Sequence, residues 1–369
     1  MRLAATITLL VTGTLASAQE NSPFDRWDKN HDGKLSREEL PESARKNFEK
    51  VDKDSDGWIS RQEDTAFRNR NRNRARPKPL PAGVTIHENL SYAPGGHPRQ
   101  KLDLLLPKER KADKPLPVIA FIHGGGWRGG DKRSGIGRLA PFVAGGEFAG
   151  LSIGYRLSGD ATWPSQIHDC KAAIRWIRAN AKEYHLDPER IGVWGSSAGG
   201  HLVAMLGVSG SSTALEGNVG AHLDQDSSVG CVVDFFGPSE LLTMGDHPSK
   251  IDHNAADSPE SLLVGGALQE HKERARSASP IAYVTEGDAA FLIVHGTKDQ
   301  LVPYQQSVDL NQKLVAAGVP SNLITVDGGG HGNFGAATGE IQDLVRTFLT
   351  KHLGEAGDVK TTDRTLKSD

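Results

Sequence analysis

The stretch Ile191-Gly192-Val193-Trp194-Gly195-Ser196-Ser197-Ala198-Gly199-Gly200-His201-Leu202-Val203-Ala204-Met205-Leu206 decides how this chain is read. An apolar run of strand character ends in Gly-Ser-Ser-Ala-Gly and passes at once into a run of helical character. Strand, sharp turn and helix is the setting in which a serine can be lifted out of a sheet as a nucleophile. The glycines belong to that turn, because a residue without a Cβ tolerates the strained backbone and lets helix and strand approach closely.

Working outward, Ser197 is followed in chain order by Asp299, in His295-Gly296-Thr297-Lys298-Asp299, and by His331, in Gly328-Gly329-Gly330-His331-Gly332. Serine, acid, histidine is the order used by the α/β-hydrolases, and it differs from the chymotrypsin and subtilisin orders. Ser197 is thus the candidate nucleophile, His331 the candidate base and Asp299 the acid that orients it. His201 is a rival base, but its place at the start of the elbow helix suits packing or capping. Asp234, at the end of the preceding strand, is the rival acid. Upstream, the buried-strand pattern 118–122 runs into His123-Gly124-Gly125-Gly126-Trp127. Backbone N–H groups of Gly125 and Gly126, with that of Ala198, are the candidate oxyanion donors. His123 is expected to brace this loop, and Trp127 either walls the pocket or packs beneath it.

The rest of the chain sets the frame. Over 369 residues, 37% hydrophobic and 24% charged content is ordinary for a globular protein, and a net charge of −3 offers nothing to nucleic acid or an anionic membrane. Residues 1–18 have a basic start, a short apolar stretch and Ala16-Ser17-Ala18, the pattern of a cleaved secretory signal. Export, periplasmic or extracellular, is therefore expected, with no transmembrane segment because the apolar stretch is too short. Export would permit a Cys170–Cys231 disulfide, although two separate buried thiols is the simpler expectation.

Two twelve-residue loops precede the catalytic region. Asp28, Asn30, Asp32, Ser36 and Glu39 fall at positions one, three, five, nine and twelve of the first, with Gly33 at six and the Lys34 carbonyl at seven. Asp52, Asp54, Asp56, Ser60 and Glu63 repeat the spacing, with Gly57 and the Trp58 carbonyl. Ca2+ takes six to eight oxygens, and the last glutamate binds through both of its own. Residues 19–67 thus read as an EF-hand pair, a small all-α unit binding structural Ca2+ and offering a docking surface. Residues 41–51 serve as outgoing helix of the first loop and incoming helix of the second, and Leu35 and Ile59 pair across a short ribbon.

Residues 68–82, alternating arginine and asparagine before several prolines, read as a linker. From 83 to 353, strands expected at 84–92, 102–106, 118–122, 148–155, 191–194, 229–236, 291–294 and 323–326 alternate with helices at 136–144, 164–184, 199–208, 304–317 and 339–352. Such alternation predicts an α/β domain with a mostly parallel sheet covered by helices on both faces, opening on an antiparallel pair. The polar residues 354–369 read as a disordered tail.

Residues 83–353 resemble the secreted bacterial ester hydrolases of the α/β-hydrolase superfamily, in the feruloyl-esterase-like and acetylxylan-esterase-like branch related to hormone-sensitive-lipase-type enzymes. The resemblance rests on the segments around His123, Gly154-Tyr155-Arg156-Leu157, the elbow, Ala278-Ser279-Pro280 and the segment ending in Asp299. Ser196 stands where the hormone-sensitive-lipase type usually has aspartate. The resemblance implies acyl transfer to water through an acyl-serine intermediate, with no cofactor in the chemistry, on acetyl or feruloyl esters of polysaccharides or on small related esters. It also implies a small cap within 239–285, where His247, Asp252, His253 and Asn254 hint at a polar alcohol. Two alternatives stay open: an arylformamidase or peptidase using the same triad, and a calcium-binding adhesion or scaffold protein with an inactive hydrolase domain.

Overall fold

The structure is a computed structural model that describes residues 23–67, 81–354 and 362–369. The expected signal, most of the expected linker and residues 355–361 of the expected tail lie outside the described residues. The chain divides into two compact units at Pro79 and Leu80, inside the stretch read as a linker.

The first unit holds α1 (Pro23–Trp27), β1 (Lys34–Leu35), α2 (Glu42–Arg45), α3 (Phe48–Val51), β2 (Ile59–Ser60) and α4 (residues 61–67). Leu35 is paired with Ile59 across β1 and β2, as expected for adjacent loops of this kind. The helix expected over 41–51 is broken in two at Lys46 and Asn47. A small core of Phe24, Leu35, Leu40, Phe48, Val51 and Ile59 closes the unit.

The second unit continues with β3 (Val84–Ser91), β4 (Lys101–Pro107), β5 (Leu116–Ile122), α5 (Arg133–Val143), β6 (Ala149–Ile153), α6 (Ser165–Ala179), α7 (Ala181–Tyr184), β7 (Leu186–Ser196) and α8 (Ala198–Val208). There follow α9 (Thr213–Glu216), β8 (Cys231–Phe235), α10 (Pro259–Val264), α11 (Lys272–Ser277), β9 (Ala290–Gly296), α12 (Gln305–Ala316), β10 (Ser321–Asp327), α13 (Thr338–Leu353) and β11 (Arg364–Lys367). Among the described residues these strands form a nine-stranded sheet in the order β11-β10-β9-β8-β7-β5-β6-β4-β3. Only the β3–β4 and β4–β6 pairs are antiparallel.

Side chains leave a strand alternately to its two faces, and that period of two builds both cores. Val118, Ala120 and Ile122 of β5 join a core with α6, α8 and α12, while Ile119 and Phe121 join the opposite core with α5 and α13. Cys170 and Cys231 are buried as separate free thiols. Burial pushes both thiols above their ordinary range.

One expectation is corrected. Where a disordered tail is expected over 354–369, Arg364–Lys367 pair in parallel with β10, in the register Ile324↔Arg364 to Asp327↔Lys367. The edge of β10 offers an unpaired row of backbone groups. The added strand fills it, buries Leu366, and is fastened where the Asp363 carboxylate accepts the Leu323 N–H at 2.8 Å. Ser368 donates its N–H to the Asp327 carbonyl at 3.0 Å beyond the strand.

Candidate active site

Ser197 lies between β7 and α8 with φ 57° and ψ −127°, outside the regions that ordinary residues occupy. The fold enforces this turn. A Cβ at Gly195 would stand 2.1 Å from the Gly199 carbonyl oxygen, and one at Gly199 would stand 2.1 Å from that of Ile122, so both must be glycine. The Ser197 N–H is spent on the Phe235 carbonyl at 2.8 Å, which ties the elbow to the end of β8.

Asp299 follows β9 and is fully buried at its side chain. Its Oδ2 accepts from His331 Nδ1 at 2.7 Å and lies 3.2 Å from His295 Nε2. Its Oδ1 accepts the N–H groups of Leu301 and Val302 at 2.8 and 3.0 Å. Burial pushes this carboxyl upward, but its interactions with the two histidines outweigh that and hold it well below the usual carboxylate range. Because an ionised carboxylate only accepts, Nδ1 of His331 carries hydrogen. Nε2 is left as the basic nitrogen.

His331 and Ser197 line one cavity of about 540 Å³, and the same cavity is lined by Gly125, Gly126 and Ala198. The glycine loop folds back on itself, with the Arg128 and Gly129 N–H groups donating to the Gly125 carbonyl at 3.1 and 3.0 Å. Its base is braced by His123, whose Nδ1 donates to the Gly124 carbonyl at 2.8 Å and whose ring stacks on Tyr155. The Tyr155 hydroxyl donates to the His123 carbonyl at 2.9 Å.

The rivals sit elsewhere. His201 is buried, accepts from Trp127 Nε1 at 3.2 Å and donates from Nε2 to the Ala278 carbonyl at 2.6 Å. Burial lowers it to about 4, with the Ala278 carbonyl opposing, so it stays neutral and structural. Trp127 both packs, at 1% exposure, and lines the cavity. Asp234 is buried beneath the elbow, where its Oδ1 accepts the Gly237 N–H at 2.9 Å and its Oδ2 has no partner. Burial raises it to about 7, which is poor for a group that must stay charged beside an imidazolium.

Sequence reading missed His295, which lies inside β9 with no chemical motif of its own. Its Nε2 faces two acceptors, Asp299 Oδ2 and the Val302 carbonyl at 3.1 Å, so Nε2 carries hydrogen. Nδ1 then accepts from the Ser307 hydroxyl at 2.7 Å. A buried histidine is thereby fixed in one tautomer under the acid.

In the first unit the expected loop ligands hydrogen-bond within their own loops. Asp28 accepts the Asp32 and Gly33 N–H groups at 3.1 and 3.0 Å, Asp32 that of Lys34 at 2.8 Å, and Glu39 that of Ser36 at 2.8 Å. Asn30 closes the first loop through its own contacts with Asp32. In the second loop Asp52 holds the Gly57 N–H at 3.1 Å, Asp56 that of Trp58 at 2.9 Å, and Glu63 that of Ser60 at 2.9 Å. Oxygens of Asp52, Asp54 and Glu63 lie within 4.8 Å of one another, and Asp52 Oδ1 is buried without a partner. Hard carboxylate oxygens gathered around a buried orphan fit a Ca2+ ion.

Comparison with known proteins follows the same division. The BD-FAE family model matches residues 102–314, the TAP-like protein model residues 270–361 and the EF hand model residues 24–41. Esterase LipC of Mycobacterium tuberculosis is 34% identical over 70% of this chain and 63% of its own length. Esterase LipQ of the same organism is 29% identical over 62% of this chain and 53% of its own length, so the chain spans about half to two thirds of these relatives. A solved structure described as a truncated form of carbohydrate esterase from gut microbiota is 36% identical, covers 72% of this chain and 97% of itself, and superposes with a TM-score of 0.65. A bifunctional GH43-CE of Bacteroides eggerthii is 34% identical over 73% of this chain and 38% of its own, with a TM-score of 0.67. With more than half of its length matched by one family model on a mostly parallel sheet carrying a nucleophile elbow, the chain belongs to the BD-FAE family of the α/β-hydrolase superfamily.

Proposed function

We propose that this protein is a carboxylic ester hydrolase that works through an acyl-serine intermediate. The observation that carries the reading is the 2.7 Å contact between Asp299 and His331, beside a cavity that both His331 and the strained Ser197 line. His331 Nε2 takes the Ser197 Oγ proton as Oγ attacks the ester carbonyl. Negative charge forms on the carbonyl oxygen and is met by N–H groups of Gly125, Gly126 and Ala198, donors whose individual loss costs about a hundred- to a thousandfold. The tetrahedral adduct expels the alcohol, which takes its proton from His331. Water then gives a proton to His331 and attacks the acyl-serine, and His331 returns that proton to Ser197 Oγ as the acid leaves. Asp299 stays ionised throughout and steadies the imidazolium.

The substrate reading is an acetyl or feruloyl ester of a polysaccharide, or a small related ester. It is supported by the likeness to a carbohydrate esterase, which covers nearly all of that chain. A panel of acetyl, butyryl, feruloyl and xylan-linked esters, with organophosphonate labelling of Ser197, tests it. Failure to label Ser197 would sink the acyl-serine route.

The EF-hand unit would hold Ca2+ through Asp28, Asn30, Asp32, Ser36 and Glu39 and through Asp52, Asp54, Asp56, Ser60 and Glu63, with the Lys34 and Trp58 carbonyls. There an ion in each loop would tie together that loop's own ligands and stiffen the small core, outside the ester chemistry. Export is part of the same proposal, on the pattern of residues 1–18. Among the described residues no helix is long and apolar enough to cross a membrane. Fractionation of an expressing cell, with the mass of the mature N-terminus, reads export directly.

A further inference from the structure

Two polar side chains of the segment 239–285 are buried in the wall of the catalytic cavity. His253 and Glu260 are 1% and 2% exposed, and both line the cavity shared by Ser197 and His331. His253 Nδ1 and Glu260 Oε2 face each other at 3.1 Å. Their alignment does not make a hydrogen bond, and each atom is left buried without a partner. An unsatisfied buried polar atom costs about 1–3 kcal/mol. None of the acyl-transfer steps needs either group.

The pair is held in place. His253 Nε2 is paired with the Ser249 hydroxyl at 3.1 Å. Ser258 caps α10 by accepting the Ser261 N–H at 3.0 Å, which sets Glu260 in the first turn. Pro259 packs over the oxyanion loop, 3.4 Å from where a Cβ on Gly126 would stand. Arg128, of that loop, donates to the Asp257 carbonyl at 3.4 Å.

We propose that His253 and Glu260 form a hydroxyl-binding subsite for the alcohol part of the ester, fitted to a sugar ring. This rests on the ester hydrolase reading and names the side of the substrate that reading leaves open. A hydroxyl both donates and accepts, and here two polar atoms, Nδ1 of His253 and Oε2 of Glu260, stand 3.1 Å apart with unfilled valences. Neighbouring hydroxyls of a sugar satisfy both. A cationic alcohol would use the carboxylate alone and would meet Arg128 in the same cavity, while an apolar alcohol would leave both atoms orphaned. A volume of about 540 Å³ accommodates a monosaccharide with a short acyl group.

The test uses the full chain and a matched pair of acetate esters, an acetylated methyl xyloside and cyclohexyl acetate, whose ring lacks hydroxyls. Wild type is expected to favour the xyloside at least tenfold in kcat/KM. Glu260→Leu and His253→Leu are each expected to cut that preference at least tenfold, mainly through KM, with folding checked by circular dichroism. Glu260→Gln keeps an acceptor oxygen and is expected to retain part of the preference; it carries the test with a threefold reduction should Glu260→Leu not fold. A wild type without preference, or a preference that survives within twofold in the variants, overturns the subsite. Acetate release from acetylated xylan and labelling of Ser197 read the parent assignment separately. If both occur while the preference stays unmoved, only the subsite falls; if neither occurs, both fall.

Discussion

His331 Nδ1 donates to Oδ2 of Asp299 at 2.7 Å, and His295 Nε2 lies 3.2 Å from the same oxygen. One histidine works at the cavity and the other is locked beneath it by Ser307 and the Val302 carbonyl. His295 therefore acts as a positioning residue, fixing the carboxylate that fixes the base. His295→Leu removes the polar contact beside Asp299 Oδ2 and leaves the Ser307 hydroxyl and the Val302 carbonyl without their partner, at a cost of about 1–3 kcal/mol for a buried group so orphaned. Unfolding in urea should show a loss of about 2 kcal/mol, and kcat should fall about tenfold with KM little changed. The pH sign follows from the depressed carboxyl of Asp299: its stabilisation is complete above about pH 4 and is lost as pH falls. A variant with wild-type kcat would show that His295 merely fills space.

The two acids near the elbow should respond oppositely to amidation. Asp299→Asn removes the charge facing imidazolium and favours the wrong tautomer of His331, a change that costs about 10⁴-fold in triads of this kind. Asp234→Asn touches no group of the cavity and should retain turnover within about threefold. Rates on 4-nitrophenyl acetate, measured side by side, decide between them. Near-wild-type activity of Asp299→Asn would move the acid to Asp234.

How far the chain could be read from its letters follows from where the physics is local. The β5 and β7 strands were legible because their apolar runs end in glycine-rich turns that only a close-packed elbow needs. Leu35 and Ile59 were legible because each occupies the same position of a twelve-residue pattern. By contrast, β11 has a single buried residue, Leu366, and owes its existence to the edge of β10, about forty residues earlier in the chain. A strand with one buried residue carries too little apolar alternation to announce itself. The same holds for His295 and Glu260, whose chemistry comes from neighbours that folding brings: Asp299 and Ser307 for one, His253 for the other.

The second twelve-residue loop supplies a calcium test independent of ester hydrolysis. Glu63 receives N–H groups from Lys53 and Ser60, and Asp52 keeps one buried oxygen without a partner. Calorimetric titration of the chelator-treated full chain should show saturable heat, and bound Ca2+ should raise the stability of the N-terminal unit by about 2.7 kcal/mol at a hundred times Kd. Glu63→Gln removes one charged ligand and should weaken the second site at least tenfold. Heat that is absent in wild type, or unchanged in the variant, would remove Ca2+ from this unit.

Asp234 also predicts how the catalytic unit responds to pH. Its carboxyl is buried against the start of α8, so close that a Cβ on Gly200 would stand 2.3 Å from Oδ1, and burial lifts it to about 7. Free carboxyls titrate near 3.9, so between about pH 4 and 7 the native state keeps a proton that the unfolded chain releases. Stability must then fall as pH rises through that window, the reverse of the Asp299 contribution. Asp234→Asn holds the same shape without a charge. Its stability relative to wild type should increase from pH 4 to pH 8 by roughly a few kcal/mol, the value of a shift of this size at a fully buried group. Melting curves of the two proteins at pH 5, 7 and 8 read the difference, and parallel pH dependences would mean that Asp234 is ionised across the whole range.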